Sequence, residues 1–245
     1  MKVAVLSDIH GNLEALQAAL AAIEPLGVDE VWCLGDVVGY GARPSACLKL
    51  VREHCTVKLA GNHDLVAAGV SSAEGFSRSA RIAISWTSQQ LAPEERAEIR
   101  DWPSATQLGG IGVAHGSMRD PAWEYVVEPA VARSLLEEQV QQVVLVGHSH
   151  LALSWRLDPE VIGGAAGVLR TDGDSVEFGE RSWIFNPGSV GQPRDRDPRA
   201  AWLELDTDAR TVTWHRTPYD IASAQAAIRG AGLPDPLADR LGAGL

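Results

Sequence analysis

Cysteine is scarce in this 245-residue chain: Cys33, Cys47 and Cys55 are the whole set. An odd number with no close metal-type spacing argues against cysteine ligands, so the three read as reduced packing residues. Basic residues are also short. Lys and Arg number 21 against 32 Asp and Glu, a net charge of −11 that disfavours non-specific binding to nucleic acid or an anionic membrane. A small cationic pocket remains open, because bound divalent metals reverse the local sign. No apolar run approaches the ~20 residues of a membrane span. The few apolar residues before Ser7-Asp8 are too short for a signal-peptide core, so the cytoplasm is the expected location. Repeats and low-complexity linkers are missing as well, and the length suits a single domain over residues 1–245.

What is present is a series of short Val-rich runs: Val3–Leu6, Val31–Leu34, Val57–Leu59 and Val143–Val146. Runs of this length suit buried parallel strands. Between the first two, Asn12 to Leu20 is alanine-rich with apolar residues at helical spacing; Asn12 is a plausible N-cap and Pro25-Leu26-Gly27 a stop. Pro44–Arg52 predicts a second helix, and Ser77–Arg100 a helical stretch interrupted at Pro93. Alternating strands and helices imply βαβ units around a sheet with helices on its faces. Later, Ala201–Asp206 and Thr211–Arg216 predict a hairpin. Asp158–Arg181 reads as a loop or decorated hairpin, and the last ~15 residues as a tail that frays.

Each strand runs directly into metal-type ligands. Val3–Leu6 leads to Ser7-Asp8-Ile9-His10, Val31–Leu34 to Gly35-Asp36, and Val57–Ala60 to Gly61-Asn62-His63-Asp64. Gly112–Ala114 ends in His115-Gly116, and Val143–Val146 in Gly147-His148-Ser149-His150. Open α/β sheets bind ligands outside the carboxyl ends of their strands, so five segments can supply one cleft. Five of the seven histidines lie in these segments, leaving only His54 and His215 elsewhere. Taken singly, each motif has an ordinary reading as a turn or a chance histidine. Those readings must hold at five strand ends together for the site to be absent.

The ordered set Asp-x-His, Gly-Asp, Gly-Asn-His-Asp, His-Gly and Gly-His-Ser-His resembles the five-motif signature of calcineurin-like metallophosphoesterases. Asn186-Pro187-Gly188-Ser189 extends the likeness towards small prokaryotic phosphodiesterases of that superfamily. The resemblance implies an α/β fold, a four-layer α/β/β/α sandwich of two stacked mixed sheets flanked by helices. It also implies two divalent transition-metal ions per chain. Asp8, His10 and His150 would hold one, Asn62, His115 and His148 the other, and Asp36 would bridge them. A mixed N/O donor set suits manganese first, with Fe, Zn, Ni or Co as alternatives, rather than calcium. The implied reaction is hydrolysis of phosphoesters, foremost phosphodiesters, by in-line attack of a metal-bridging hydroxide. In the family the histidine after Asn62 faces the substrate, which gives His63 the role of an imidazolium beside the phosphoryl group, oriented by Asp64.

Departures narrow the substrate. The superfamily's serine/threonine protein phosphatases carry an arginine soon after the bridging aspartate and a Gly-Asn-His-Glu motif. Here Asp36 precedes Val37-Val38-Gly39-Tyr40-Gly41, and the third motif ends in Asp64. A small-molecule phosphoester is the expected partner, with homo-oligomerisation left open. Dinucleoside tetraphosphate hydrolysis and phosphomonoester hydrolysis are the alternatives, and a catalytically silent metal-bearing scaffold is the reading from another class. Arg119 and Arg194 are weaker candidates for phosphate contacts. Tyr40 and the Trp123-Glu124-Tyr125 stretch are candidates for substrate walls, set against an ordinary core role.

Overall fold

Alternation along the first strand sets the layers. In β1 (Lys2–Leu6), Val3 and Val5 face one way and Ala4 and Leu6 the other, and all four are fully buried. A strand buried on both faces must lie between two layers. The computed structural model, which describes residues 1–245, shows what those layers are.

The remaining strands are β2 (Glu30–Cys33), β3 (Val57–Lys58), β4 (Ala105–Leu108), β5 (Ile111–Ala114), β6 (Val143–Leu145) and β7 (Ala152–Leu157). They continue with β8 (Ala165–Leu169), β9 (Ser175–Glu177), β10 (Trp183–Pro187), β11 (Ala200–Asp206) and β12 (Thr211–Thr217). One sheet has the order β3-β2-β1-β11-β12-β9 and the other β4-β5-β6-β10-β7-β8. Both are mixed: β1, β2 and β3 run parallel, as do β5, β6 and β10, while the other pairings are antiparallel.

The helices are α1 (Leu13–Ile23), α2 (Pro44–His54), α3 (Asn62–Ala67), α4 (Arg78–Gln90), α5 (Pro93–Asp101), α6 (Pro129–Glu138), α7 (Ile221–Gly230) and α8 (Asp235–Ala243). Asn12 caps α1 by accepting from the Ala15 N–H at 3.1 Å. Leu16 of α1, Leu48 of α2 and Trp202 of β11 join Ala4 and Leu6 in the core between the first sheet and its helices. Val3, Val5, Trp32, Leu203 and Trp214 meet Val113, Leu145 and Phe185 of the facing sheet in a second core. Leu135 and Leu136 of α6 cover the outer face of the second sheet against Trp155 and Ile184. The order helix, sheet, sheet, helix is the expected sandwich, and the three cysteines are buried and unbonded within it.

Two segments depart from the sequence reading. Asp158–Arg181 was expected as a loop or decorated hairpin. It supplies β8, paired with β7, and then crosses to pair β9 with β12, so it joins the edges of both sheets. The tail expected to fray instead forms α8, because Leu237, Ala238 and Leu241 bury one helical face against Ala224 and Ile228 of α7. The Asn62-His63-Asp64 motif opens helix α3, with Gly61 in the N-cap position.

Leu203 has no exposure and pairs with Val5 at the centre of the first sheet, facing the second. Leu203→Ala should lower unfolding free energy by about 2–5 kcal/mol, read from urea denaturation of the two proteins. A loss under about 1 kcal/mol would show that the inter-sheet core repacks around the gap.

Candidate metal centre

The five motif segments leave the carboxyl ends of β1, β2, β3, β5 and β6, and the stacking of the two sheets brings those ends together. Backbone hydrogen bonds tie the loops to one another: Asp8 N–H donates to Gly35 O at 3.0 Å, His10 N–H to Asp36 O at 2.9 Å, and Gly147 N–H to His115 O at 2.8 Å. The turns are tight enough to force left-handed backbone on residues that rarely adopt it. Asp8, His10, Asp36, His148 and His150 all have φ between 50° and 65°. Such conformations cost about 1–3 kcal/mol each and persist where surrounding structure over-determines them. Gly61 is required for a different reason: a Cβ there would run into the Asp36 carboxylate.

Ligand-type atoms of Asp8, His10, Asp36 and His150 lie within 4.8 Å of one another, as do those of Asp36, His115 and His148. Asp36 is common to both groups. Asn62 joins the second, its Oδ1 3.3 Å from His115 Nε2. All seven sequence-derived ligand candidates are therefore brought to one place, and all are buried.

The hydrogen bonding leaves specific lone pairs free. His10, His115 and His150 each point Nδ1 at a backbone carbonyl: Val38 at 3.1 Å, Leu34 at 3.0 Å and Gln192 at 2.7 Å. A carbonyl only accepts, so each Nδ1 carries a proton; in the neutral rings of His10 and His150 this turns the Nε2 lone pair to the centre, and His115 Nε2 presents one once its second proton leaves. His148 is reversed. Its Nε2 donates to Trp123 O at 3.1 Å, leaving Nδ1 free. Each aspartate also commits one oxygen to the protein. Asp8 Oδ2 accepts from Ser7 Oγ at 2.7 Å and His148 N–H at 3.1 Å, while Oδ1 is buried without a partner. Asp36 Oδ1 accepts from His63 N–H at 2.8 Å, and Oδ2 faces His10 Nε2 at 3.5 Å and His115 Nε2 at 3.4 Å.

These donors fit divalent cations. His10 Nε2 and His150 Nε2 approach to 3.1 Å, and with both Nδ1 atoms donating outward neither ring has a second proton to share. Two facing lone pairs and an orphaned carboxylate oxygen call for positive charge between them. Burial holds His10 and His150 well below the ordinary histidine pKa and pushes His148 down to about 3, so all three stay neutral as ligands must. His115 goes the other way. Burial would lower its pKa, but the adjacent Asp36 carboxylate outweighs it and raises it to about 9. The same contact overcomes burial at Asp36 and holds that carboxyl well below its usual range.

His63 sits at the edge of this group, its ring 4.8 Å from His10, 4.4 Å from Tyr40 and stacked at 4.3 Å on Phe76. Its Nδ1 is buried without a partner, and burial pushes its pKa down to about 4. Asp64 does not orient it as expected. The Asp64 carboxylate accepts instead from the N–H groups of Val37, Val38 and Gly61, at 3.2, 3.0 and 3.1 Å. As the third residue of α3, Asp64 reaches back to the Gly61 N–H at the helix N-terminus. It pins the Asp36 loop to that helix.

Of the two arginine candidates, Arg119 lies apart, paired with Glu124 and Glu138. Arg194 lies at the rim, with its guanidinium carbon 5.9 Å from the Tyr40 ring centre. Tyr125 stacks on His148 at 3.8 Å and is 48% exposed, which makes it a wall of the opening rather than a core residue. Phe76 was not found from sequence; it follows no motif, and only the fold carries it to His63.

At neutral pH the His115 proton must leave before a cation can take Nε2. Cation affinity should therefore rise with pH up to about 9 and level off above it, with release of about one proton on binding. Titration calorimetry in buffers of different ionisation enthalpy measures that release; binding with no proton released would contradict the His115–Asp36 pairing.

Residues 1–208 match the profile of the calcineurin-like phosphoesterase superfamily domain. The chain is 39% identical to a metallophosphoesterase from Sphaerobacter thermophilus whose crystal structure superposes with a TM-score of 0.90, covering 100% of both chains. It is 33% identical to an uncharacterized protein of Methanocaldococcus jannaschii, over 98% of this chain and 96% of that one. A symmetrical bis(5'-nucleosyl)-tetraphosphatase of Actinobacillus pleuropneumoniae is 28% identical over 157 residues, 59% of this chain and 53% of that protein. Strand-end ligands, shared fold and matched domain agree: the chain is a metal-dependent phosphoesterase of the calcineurin-like superfamily.

Proposed function

We propose that the chain hydrolyses small-molecule phosphodiesters at a centre of two divalent cations. Asp8, His10, Asp36 and His150 would hold one cation, and Asp36, Asn62, His115 and His148 the other. The observation that carries this reading is Asp36 Oδ2, a single oxygen faced by imidazoles of both groups at 3.5 and 3.4 Å. Divalent cations at such a site supply Lewis-acid chemistry, acidifying water and neutralising phosphate charge.

The chain's own residues supply the rest. Hydrolysis adds the oxygen of water to phosphorus and breaks the bond to the leaving oxygen, which departs with the electron pair and takes a proton. His63 is placed to handle that proton, since its Nδ1 has no partner in the protein. With a pKa near 4 it is neutral at physiological pH, so it meets the substrate as a neutral ring with one N–H donor and one acceptor. The imidazolium form implied by the family resemblance requires the phosphate's negative charge to raise that value. The Gly39 backbone packs against the ring so closely that a Cβ there would occupy the space of His63 Nδ1.

Chelator-stripped protein reloaded separately with Mn²⁺, Zn²⁺, Ni²⁺ or Mg²⁺ should cleave bis(p-nitrophenyl) phosphate faster than p-nitrophenyl phosphate, and Asp36→Ala should reduce turnover to background. Folded protein that binds two cations yet cleaves neither ester would favour the silent scaffold. His63→Ala should lower kcat by about 10²–10⁴ with cation content unchanged. Near wild-type turnover in that variant would remove His63 from the mechanism.

A further inference from the structure

The first group of donors is drawn unevenly from the two sheets. Asp8, His10 and Asp36 follow β1 and β2 of the first sheet, and His150 alone follows a strand of the second. His150 must therefore be held in register with a sheet to which it does not belong. In the other group His115 makes that connection itself, with Nδ1 donating across the sheets to Leu34 O at 3.0 Å. His150 Nδ1 donates at 2.7 Å to Gln192 O, in the segment that crosses from β10 of the second sheet to β11 of the first. Arg194 N–H donates back to His150 O at 3.1 Å, so this segment grips both the ring and the backbone of His150.

The segment is fixed at two points. Upstream, Ser189 Oγ donates to Asp8 O at 2.7 Å and accepts from Gln192 N–H at 2.8 Å. Downstream, Asp195 Oδ2 accepts from Ala152 N–H at 3.2 Å, at the start of β7, and from Nη2 of Arg216 on β12. One carboxylate oxygen thus ties a second-sheet strand, two positions after His150, to a strand of the first sheet. Both side chains are shut away from water, Arg216 2% and Asp195 5% exposed. Arg216 N–H also donates to Asp172 Oδ1 at 2.9 Å. A buried ion pair adds little net stability over apolar residues of similar volume. Arg216 Nε and Nη1 and Asp195 Oδ1 are left without hydrogen-bond partners, a further cost that stability does not repay. What the pair supplies, and apolar side chains cannot, is direction: it sets where Asp195 lies and so where the backbone before it runs.

We propose that the buried Asp195–Arg216 ion pair positions His150, fixing the Gln192 carbonyl that holds its Nδ1 proton so that the Nε2 lone pair faces Asp8, His10 and Asp36. Neither residue belongs to the donor set; both are positioning residues that act through the backbone of Gln192 and Arg194. This goes beyond the two-cation reading and rests on it in one respect, that His150 is a ligand. The group of His115 and His148 is independent of the pair, because its rings are held by Leu34 O and Trp123 O. Groups that orient a metal-binding imidazole through its other nitrogen typically contribute about ten- to hundredfold in metal affinity.

Asp195→Ala leaves Arg216 as an unpaired buried charge and destabilises the fold, so the working variant is the double substitution Asp195→Leu with Arg216→Met, which removes both charges. Mn²⁺ is titrated into chelator-stripped protein by calorimetry. One of the two affinities should fall about ten- to hundredfold in the double variant, with the other held within about twofold. Added to His148→Ala, the double variant should weaken the cation that remains; added to His150→Ala, it should change nothing further. A second readout needs no cation: the ring ¹⁵N shifts of His150 should report the proton on Nδ1 in the parent protein and a mixture of both tautomers in the double variant. Two cations bound by the parent, with both affinities and the His150 tautomer unmoved, would overturn the positioning role and leave the two-cation reading standing. Equal loss at both cations would also overturn it, since a general support of the fold has no preference for His150. Fewer than two cations bound by the parent, with the His150 tautomer still released by the double variant, would sink the two-cation reading and keep the role of the ion pair.

Discussion

Asp36 is the constraint on which the rest of the centre depends. One of its oxygens is spent on the His63 N–H, which seats α3, and the other faces imidazoles from both groups of donors. Its loop is gripped from three sides: by His10 N–H on its carbonyl, by Asp64 across Val37 and Val38, and by Gly61, where no side chain fits. A buried carboxylate is expensive unless compensated. Here the compensation is shared among His115, a backbone N–H and the cation chemistry of the family, so loss of any one exposes the rest to an unpaired charge.

The left-handed backbone of five candidate ligands follows from the same demand. Each strand must end and turn its next side chain inward within one or two residues, in a space already filled by the neighbouring loop. Aspartate and histidine tolerate that conformation better than most side chains. The stability lost there is offset by the two-sided burial of the sheets, where Val3, Val5, Leu203 and Trp214 meet the facing strands.

Around this rigid centre the opening is built from side chains with unspent hydrogen-bonding capacity or exposed faces: His63, Tyr125 and Arg194. They come from three separate segments, and only the first is adjacent to a ligand in sequence. A superfamily that keeps its metal chemistry while changing its substrate can do so here, because altering these groups leaves the Nδ1–carbonyl bonds that orient the ligands intact.

The sequence by itself determined the centre. Ligand-type residues directly after short apolar strands are a local pattern, and the seven candidates, Asp8, His10, Asp36, Asn62, His115, His148 and His150, needed only that the strand ends share one edge. The hairpin of β11 and β12 and the helices α1, α2, α4 and α5 were legible for the same reason, since periodicity and caps are written within a few residues. Tertiary structure alone decided what depends on distant partners. Asp64 serves the backbone of Val37, Val38 and Gly61 rather than His63, because it is the third residue of α3 and its carboxylate reaches the helix N-terminus. The C-terminal residues form α8 because α7 offers Ala224 and Ile228 to bury Leu237 and Leu241. Phe76 borders the site through packing between segments far apart in the chain, and no spacing along one strand or helix encodes that.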